Sequence, residues 1–223
     1  MAFSESQLKR YNRQIILQEL GIDGQSKLYN SKVLVIGAGG LGSPVLLYLT
    51  AAGVGTIGIV DNDIVDISNL QRQIIHSTAN IGIEKVKSAK QKILDLNPDT
   101  NVIEIHERLT EGNASEIIDA YDFVVEATDN FESKFLVNDV CVQLRKPFSQ
   151  GGVFQFTGQT FTYIPGNACY RCIYQSAPPT DKSQIGIIGS IAGVIGSIQA
   201  TETLKYLTQT GLLLTNKLLT FDA

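Results

Sequence analysis

Four glycines, two aspartates and a short run rich in amides and arginine are the residues of this chain best suited to chemistry on a nucleotide. Gly37, Gly39 and Gly42 fit the pattern Gly-x-Gly-x-x-Gly, with Gly40 inside it, directly after the apolar run Val33–Ile36. Glycines at such a turn let phosphate approach backbone amides, and the positive end of the following helix adds potential. The pattern lacks the lysine–serine pair of a P-loop. Asp61 stands where an acceptor for ribose hydroxyls is expected, a role that fits ATP as well as NAD. Ser68, Asn69, Arg72 and Gln73 come next, and a guanidinium fork matches phosphate oxygens. Lys85, just inside a further helical segment, could reach the same anion. Thr128, Asp129 and Asn130 close a later apolar run. A carboxylate aimed at a triphosphate is a natural Mg²⁺ ligand, because Mg²⁺ takes one or two carboxylates together with phosphate oxygens. The set points to reaction at a triphosphate rather than to retention of a dinucleotide alone.

Each residue also has a plainer reading. The glycine turn could serve only helix–sheet packing, and Asp61 could cap a strand end. Arg72 and Lys85, taken singly, are ordinary surface charges. Asp129 could cap the helix that begins near Phe131. Asp63 and Asp66 read as solvated loop acids. The functional reading rests on the combination.

That combination works only if the fold gathers these residues at one edge. Helical spacing runs over Glu5–Leu20, with Gly21 as its stop, and over Gly42–Ala52, with Pro44 in the first turn. Further helices are expected over Glu84–Leu96, Ala114–Ala120 and Phe131–Leu144. Strands are expected at Val33–Ile36, Thr56–Val60, Val102–Ile105 and Phe123–Val125, then at Phe148, Val153–Phe156 and Gln159–Ile164, punctuated by Gly151, Gly152 and Gly158. Alternating β and α units predict a doubly wound α/β fold of Rossmann type, with a largely parallel sheet covered on both faces. Ligands in such sheets bind at the carboxyl ends of the strands. The turn at 37–42, Asp61 and Asp129 therefore belong to one crevice. No repeat or linker interrupts the chain, and a single domain over residues 1–223 is expected.

Composition narrows the class. With 18 basic and 22 acidic residues the net charge is −4, which offers no footprint for nucleic acid. No apolar stretch reads as a membrane span or a signal peptide. Three cysteines, Cys141, Cys169 and Cys172, with no export signal point to a reducing cytoplasm. Cys141 lies in an apolar helical run and reads as core. Cys169 and Cys172 have zinc-knuckle spacing, but structural zinc takes four ligands and the chain has no second cysteine pair. They are at most an incomplete zinc half-site, and a pair of reduced thiols is the favoured reading. His76 and His106 read as structural. The segment Gly186–Leu207, with Gly189, Gly193 and Gly196, reads as a buried core helix whose glycines allow close packing on the sheet or on another subunit.

Several motifs in order resemble one family. They are Arg10-Tyr-Asn-Arg13-Gln-Ile-Ile-Leu, Val-Ile-Gly-Ala-Gly-Gly-Leu-Gly-Ser, Ala-Gly-Val-Gly, Ser-Asn-Leu-Gln-Arg-Gln, Thr-Asp-Asn, Cys-Tyr-Arg-Cys, Gly-Ser-Ile-Gln-Ala and the final Phe-Asp-Ala. The chain resembles the bacterial E1-like adenylyltransferases of the MoeB/ThiF/HesA family nearly end to end. The resemblance implies an E1-like fold whose mostly parallel sheet carries an antiparallel extension. It implies ATP-dependent activation of the C-terminal glycine of a ubiquitin-like sulfur carrier ending in Gly-Gly, for molybdopterin or thiamine synthesis. By that resemblance Gly40 lines the nucleotide turn, Asp61 holds the ribose, Asn69, Arg72 and Lys85 contact phosphates, and Asp129 organises Mg²⁺. Arg13 reaches into the neighbouring subunit of a homodimer.

Two departures qualify these implications. Family members usually continue past Phe221-Asp-Ala223 with a second Cys-x-x-Cys, so a complete zinc site is not expected here. The segment Thr180–Gly186, which often carries a sulfur-handling cysteine, has none, so adenylation without a thioester on this chain is expected, with sulfur from a separate donor. Two other functions fit parts of the pattern. An NAD-dependent oxidoreductase would use the glycine turn and Asp61 but leaves Arg72 and Lys85 idle. A shortened, non-catalytic scaffold that holds ATP would have no need of both Arg72 and Asp129.

Overall fold

Apolar β-branched runs build the centre of a seven-stranded sheet in the computed structural model, which describes residues 3–176 and 186–223. Strands β1 (Lys32–Ile36), β2 (Thr56–Val60), β3 (Asn101–Ile105), β4 (Phe123–Glu126) and β5 (Phe148–Phe154) run parallel. Strands β6 (Thr157–Tyr163) and β7 (Leu219–Asp222) extend one end antiparallel. The order is β3-β2-β1-β4-β5-β6-β7. It reverses direction between β1 and β4, which puts the ligand crevice of a doubly wound sheet outside the carboxyl ends of these two strands.

Alternation along β1 divides the core. Val33 and Val35 face one layer with Leu46, Leu49, Ile57, Ile59 and Ile195. Leu34 and Ile36 face the other with Ile118, Val124, Val137, Cys141 and Phe148. All are buried, as parallel strands covered on both faces must be. The helices are α1 (Glu5–Ile15), α2 (Gly21–Asn30), α3 (Gly42–Ala52), α4 (Lys85–Leu96), α5 (Ala114–Asp119), α6 (Phe131–Gln143), the short α7 (Tyr170–Ile173) and α8 (Gly189–Thr208). Helix α8 packs on α3, β5 and β6, which makes it the core helix expected from its composition.

The structure departs from the sequence reading in three places. Gly21, expected to stop a helix, instead begins α2 at a φ of 61°, after α1 has ended at Ile15. Glycines at 21 and 24 weaken the helical signal of a segment that tertiary packing nonetheless makes helical. Gly151 and Gly152 lie inside β5 rather than at a turn. A side chain at Gly151 would collide with the Gln199 amide of α8, so the glycine serves close helix–sheet packing. The turn falls after Phe154, where Gln155 takes a positive φ of 53°. Strand β7 was not anticipated, and it pairs with β6.

Candidate active site

The glycine turn joins β1 to α3 and is fixed by hydrogen bonds on every side. Gly37 takes a φ of 98° and donates its N–H to the Val60 carbonyl at 2.8 Å. A Cβ there would sit 2.8 Å from the Ala127 carbonyl oxygen at the end of β4, so the turns after β1 and β4 touch through bare backbone. The Ala38 N–H donates to Asp61 Oδ2 at 2.8 Å, and the Asp63 N–H donates to Asp61 Oδ1 at 2.9 Å. Asp61 thus braces the turn while its half-exposed carboxylate keeps lone pairs for a ligand.

His76 holds the same turn from below. Its Nε2 lies 2.9 Å from the Ala38 carbonyl and its Nδ1 lies 2.8 Å from Ser88 Oγ on α4. The carbonyl can only accept, which assigns the Nε2–H tautomer with Nδ1 accepting from Ser88. Burial lowers the imidazole pKa, outweighing the bond to Ala38. A depressed folded pKa means that the unfolded chain binds the extra proton first. His76 should therefore cost no stability above about pH 6.5 and should erode it as pH falls toward the folded value. Denaturant melts of wild type and His76→Gln between pH 7.5 and 5 check this, with a flatter acid limb expected for the variant.

The polar run forms a short helical turn at Ile67–Asn69, whose N-cap Asp66 accepts from the Ser68 N–H and hydroxyl. Asp66 is therefore a structural cap. Asn69 is partly committed too, since its Oδ1 accepts from the Asp66 N–H at 3.2 Å. The stem of Arg72 lies against Gly40, where an added Cβ would meet Arg72 Cγ at 3.4 Å. One guanidinium nitrogen donates to the Ser68 carbonyl at 3.1 Å, and no described carboxylate pairs with the group. Gln73 is buried beside Gly39, and its Oε1 has no hydrogen-bond partner among the described residues. The first residue of α8, Gly189, packs against the backbone of Gln71 and Arg72 and presses the run toward the glycine turn.

Lys85 is buried, and its ammonium donates to Asp63 Oδ2 at 2.7 Å. Asp63 is exposed as expected of a loop acid, yet it is also the ion-pair partner of Lys85, which the sequence reading had not assigned. On the far side of the crevice, Asp129 stands exposed with no described cation paired to it. It does not cap α6. Asn130 does so, accepting from the Ser133 N–H at 2.9 Å. An Asx cap must sit one residue before the helix, and that residue is Asn130. Beneath Asp129 lies a buried ion pair, Glu126 with Lys134, separated by 2.7 Å.

The model of the ThiF family matches residues 11–223. The chain belongs to the ThiF family. Relatives include the adenylyltransferase and sulfurtransferase MOCS3 of Aedes aegypti, 44% identical over 98% of this chain and 51% of that protein. The SAMP-activating enzyme E1 of Haloferax volcanii is 41% identical, covering 100% of this chain and 84% of that protein. Among solved structures, E. coli MccB with ATP superposes with a TM-score of 0.83 at 26% identity, over 96% of this chain and 68% of MccB. The chain spans about half the length of the MOCS3 relatives it matches (51% of the Aedes protein).

Two expected site features stand apart from the crevice in this ThiF-family chain. Arg13 lies exposed on α1. Its neighbour Gln14 donates to the Ala52 carbonyl at 3.0 Å, at the end of α3 remote from the glycine turn. An eleven-residue helix separates the two, a rise of about 15 Å, so this chain does not bring Arg13 to its own crevice. Cys169 and Cys172 have sulfurs 3.9 Å apart at α7. Among the described residues no group of three potential ligands surrounds them or any other point. Two thiols do not meet the four-ligand need of structural zinc. The segment Thr180–Gly186 lies outside the described residues except for Gly186. No described helix is long and apolar enough to cross a membrane.

The sequence reading missed Glu126, Lys134 and Gln199. Gln199 Nε2 donates to the Glu126 carbonyl at 2.9 Å and thereby ties α8 to the end of β4. The one available signal was a glutamate closing an apolar strand eight residues before a lysine on a helix.

Proposed function

We propose that this chain adenylates the C-terminal glycine of a ubiquitin-like sulfur carrier. The reading is carried by Asp61, Arg72 and Gln73 against one glycine turn at the carboxyl edge of the sheet, with Lys85 and Asp129 on the segments that follow β2 and β4 at the same edge. It is supported by the relatives named adenylyltransferases and by the likeness to MccB solved with ATP. The carrier carboxylate attacks the α-phosphorus of ATP. A carboxyl-oxygen-to-phosphorus bond forms, the bond to the bridging oxygen breaks, and pyrophosphate leaves with that electron pair. The acyl adenylate then awaits a sulfur donor.

The residues divide this work. Asp61 would accept the ribose hydroxyls. Gly37, Gly39, Gly40 and Gly42 would let phosphates approach the backbone, with Gln73, Asn69 and Asn130 as polar neighbours. Arg72 and Lys85 would neutralise the charge that builds at phosphorus and on the leaving group, the kind of preorganised help such a transfer needs. Mg²⁺, when bound, would supply a hard counter-charge to the phosphates, and a single exposed carboxylate such as Asp129 suits its preference for few protein ligands. A second copy would supply Arg13, since the chain's own Arg13 lies at the wrong end. The cysteine content fits a reducing cytoplasm.

The test is carrier-dependent exchange of labelled pyrophosphate into ATP. Small proteins ending in Gly-Gly are added singly to the purified, folded protein. Exchange with one of them is expected. Absence of exchange with every such carrier, despite intact ATP binding, would sink the reading.

A further inference from the structure

We infer that Glu126 and Lys134 are positioning residues that set the orientation of Asp129. The inference rests on the reading of Asp129 as the Mg²⁺-facing carboxylate. The pair is deeply buried, with side-chain exposures of 0% for Glu126 and 8% for Lys134. What singles it out is where its bonds go. Lys134 Nζ donates to Glu126 Oε2 at 2.7 Å, to the Thr128 carbonyl at 2.8 Å and to the Gly151 carbonyl at 2.6 Å. An ammonium has three protons, and all three are used. Glu126 Oε1 accepts from the Thr128 N–H at 2.8 Å and from the Thr128 hydroxyl. The N–H, O–H and C=O of Thr128 are thus all gripped by one ion pair.

That grip fixes the peptide entering Asp129. The residue that follows it is anchored as well, because Asn130 caps α6 through Ser133 and its carbonyl accepts from the Lys134 N–H at 3.3 Å. Asp129 is therefore an exposed side chain on a backbone held from both sides. The anchorage continues outward, since Gln199 bonds the carbonyls of Glu126 and Ser149. A buried ion pair is a poor device for stability alone, because well-packed apolar residues fill such a space without the cost of desolvating two charges. Here its hydrogen bonds converge on the one residue that precedes the proposed metal-facing carboxylate. Groups that orient a metal ligand act by fixing its geometry, and their loss weakens metal affinity.

The double variant Glu126→Gln/Lys134→Met removes both charges and leaves neither buried alone. ATP affinity is measured calorimetrically without metal and across a Mg²⁺ titration, with melting temperature recorded alongside. We expect metal-free ATP affinity to stay within about twofold, while apparent Mg²⁺ affinity of the ATP complex falls about 10–100-fold. Asp129→Ala is expected to abolish the Mg²⁺ enhancement and so calibrate the assay. Unchanged Mg²⁺ affinity with a lowered melting temperature would show a purely structural pair and overturn the inference. Should the double variant not fold, Glu126→Asp keeps both charges and shortens the carboxylate by one methylene. It should still lower Mg²⁺ affinity by about tenfold, and no change there overturns the inference equally. Binding is read without any carrier, so failure of carrier-dependent exchange would count against adenylation and not against this assignment.

Discussion

Replacing Asp129 with alanine should lower carrier-dependent pyrophosphate exchange by about 10²–10³-fold, the usual cost of removing one preorganised charge-stabilising group. The melting temperature should stay within about 2 °C of wild type, because an exposed side chain remote from packed features contributes little to stability. The separation of the two effects is the point. Asp129 is exposed and pairs with no described cation, while the turn beneath it is held by Glu126, Lys134 and Asn130. Removing the carboxylate leaves that turn intact. Asp129→Asn is a sharper version, since it keeps the shape and loses only the charge. Exchange at the wild-type rate in either variant would show that Asp129 takes no part in the reaction. A large fall in melting temperature would show that its role is structural after all.

The frame of the fold was legible because it is written in short-range patterns. Thr56–Val60 and Gly42–Ala52 have the bounds that their residues predict. That the turn at 37–42, Asp61 and Asp129 lie on one edge follows from strand parallelism; the structure bonds Ala38 to Asp61 and sets Gly37 beside the backbone of Ala127, two residues before Asp129. What was hidden depends on partners that sit on other elements. Gly151 looks like a turn glycine until Gln199 is placed against it, a separation of 48 positions that no local rule spans. Asp63 looks like a solvated acid until α4 brings Lys85 to it. Glu126 in an apolar strand carries no meaning until Lys134 folds back over it. Asp129 and Asn130 are both competent helix caps, and only the start of α6 decides between them. What resisted the sequence was therefore each residue whose role is set by a partner on another element, whether that residue is buried (Glu126), exposed (Asp63) or a glycine (Gly151).

The turn itself sets up the second large effect, Gly42→Ala. Alanine is ordinarily the better helix former by about 1 kcal/mol, so propensity alone predicts a gain at the first residue of α3. Sterics reverse the sign. A Cβ on Gly42 would overlap the Gly37 carbonyl oxygen and press on its carbonyl carbon at 2.9 Å. That carbonyl belongs to backbone with nowhere to go. Gly37 donates to Val60, and Ala38 is bonded on one side to Asp61 and on the other to His76. Movement toward β4 is blocked, since Gly37 already lies against the Ala127 carbonyl. The strain must instead unwind the first turn of α3 or lift the helix from the core that Val45, Leu46 and Leu49 occupy. We expect a loss of about 3 kcal/mol, the upper part of the range for overpacking. In a chain of this length that lowers the melting temperature by about 6–12 °C. ATP affinity should fall with it, because the displaced peptide belongs to the turn proposed above to face the phosphates. Gly193→Ala in α8 is the matched control. It adds the same methyl at a helical glycine with no atom of the described residues within 4 Å, so it should be neutral or slightly stabilising. Equal melting temperatures for the two alanine variants would mean that the turn yields more readily than its hydrogen bonds indicate. The close approach of Gly42 to Gly37 would then not be what requires glycine there.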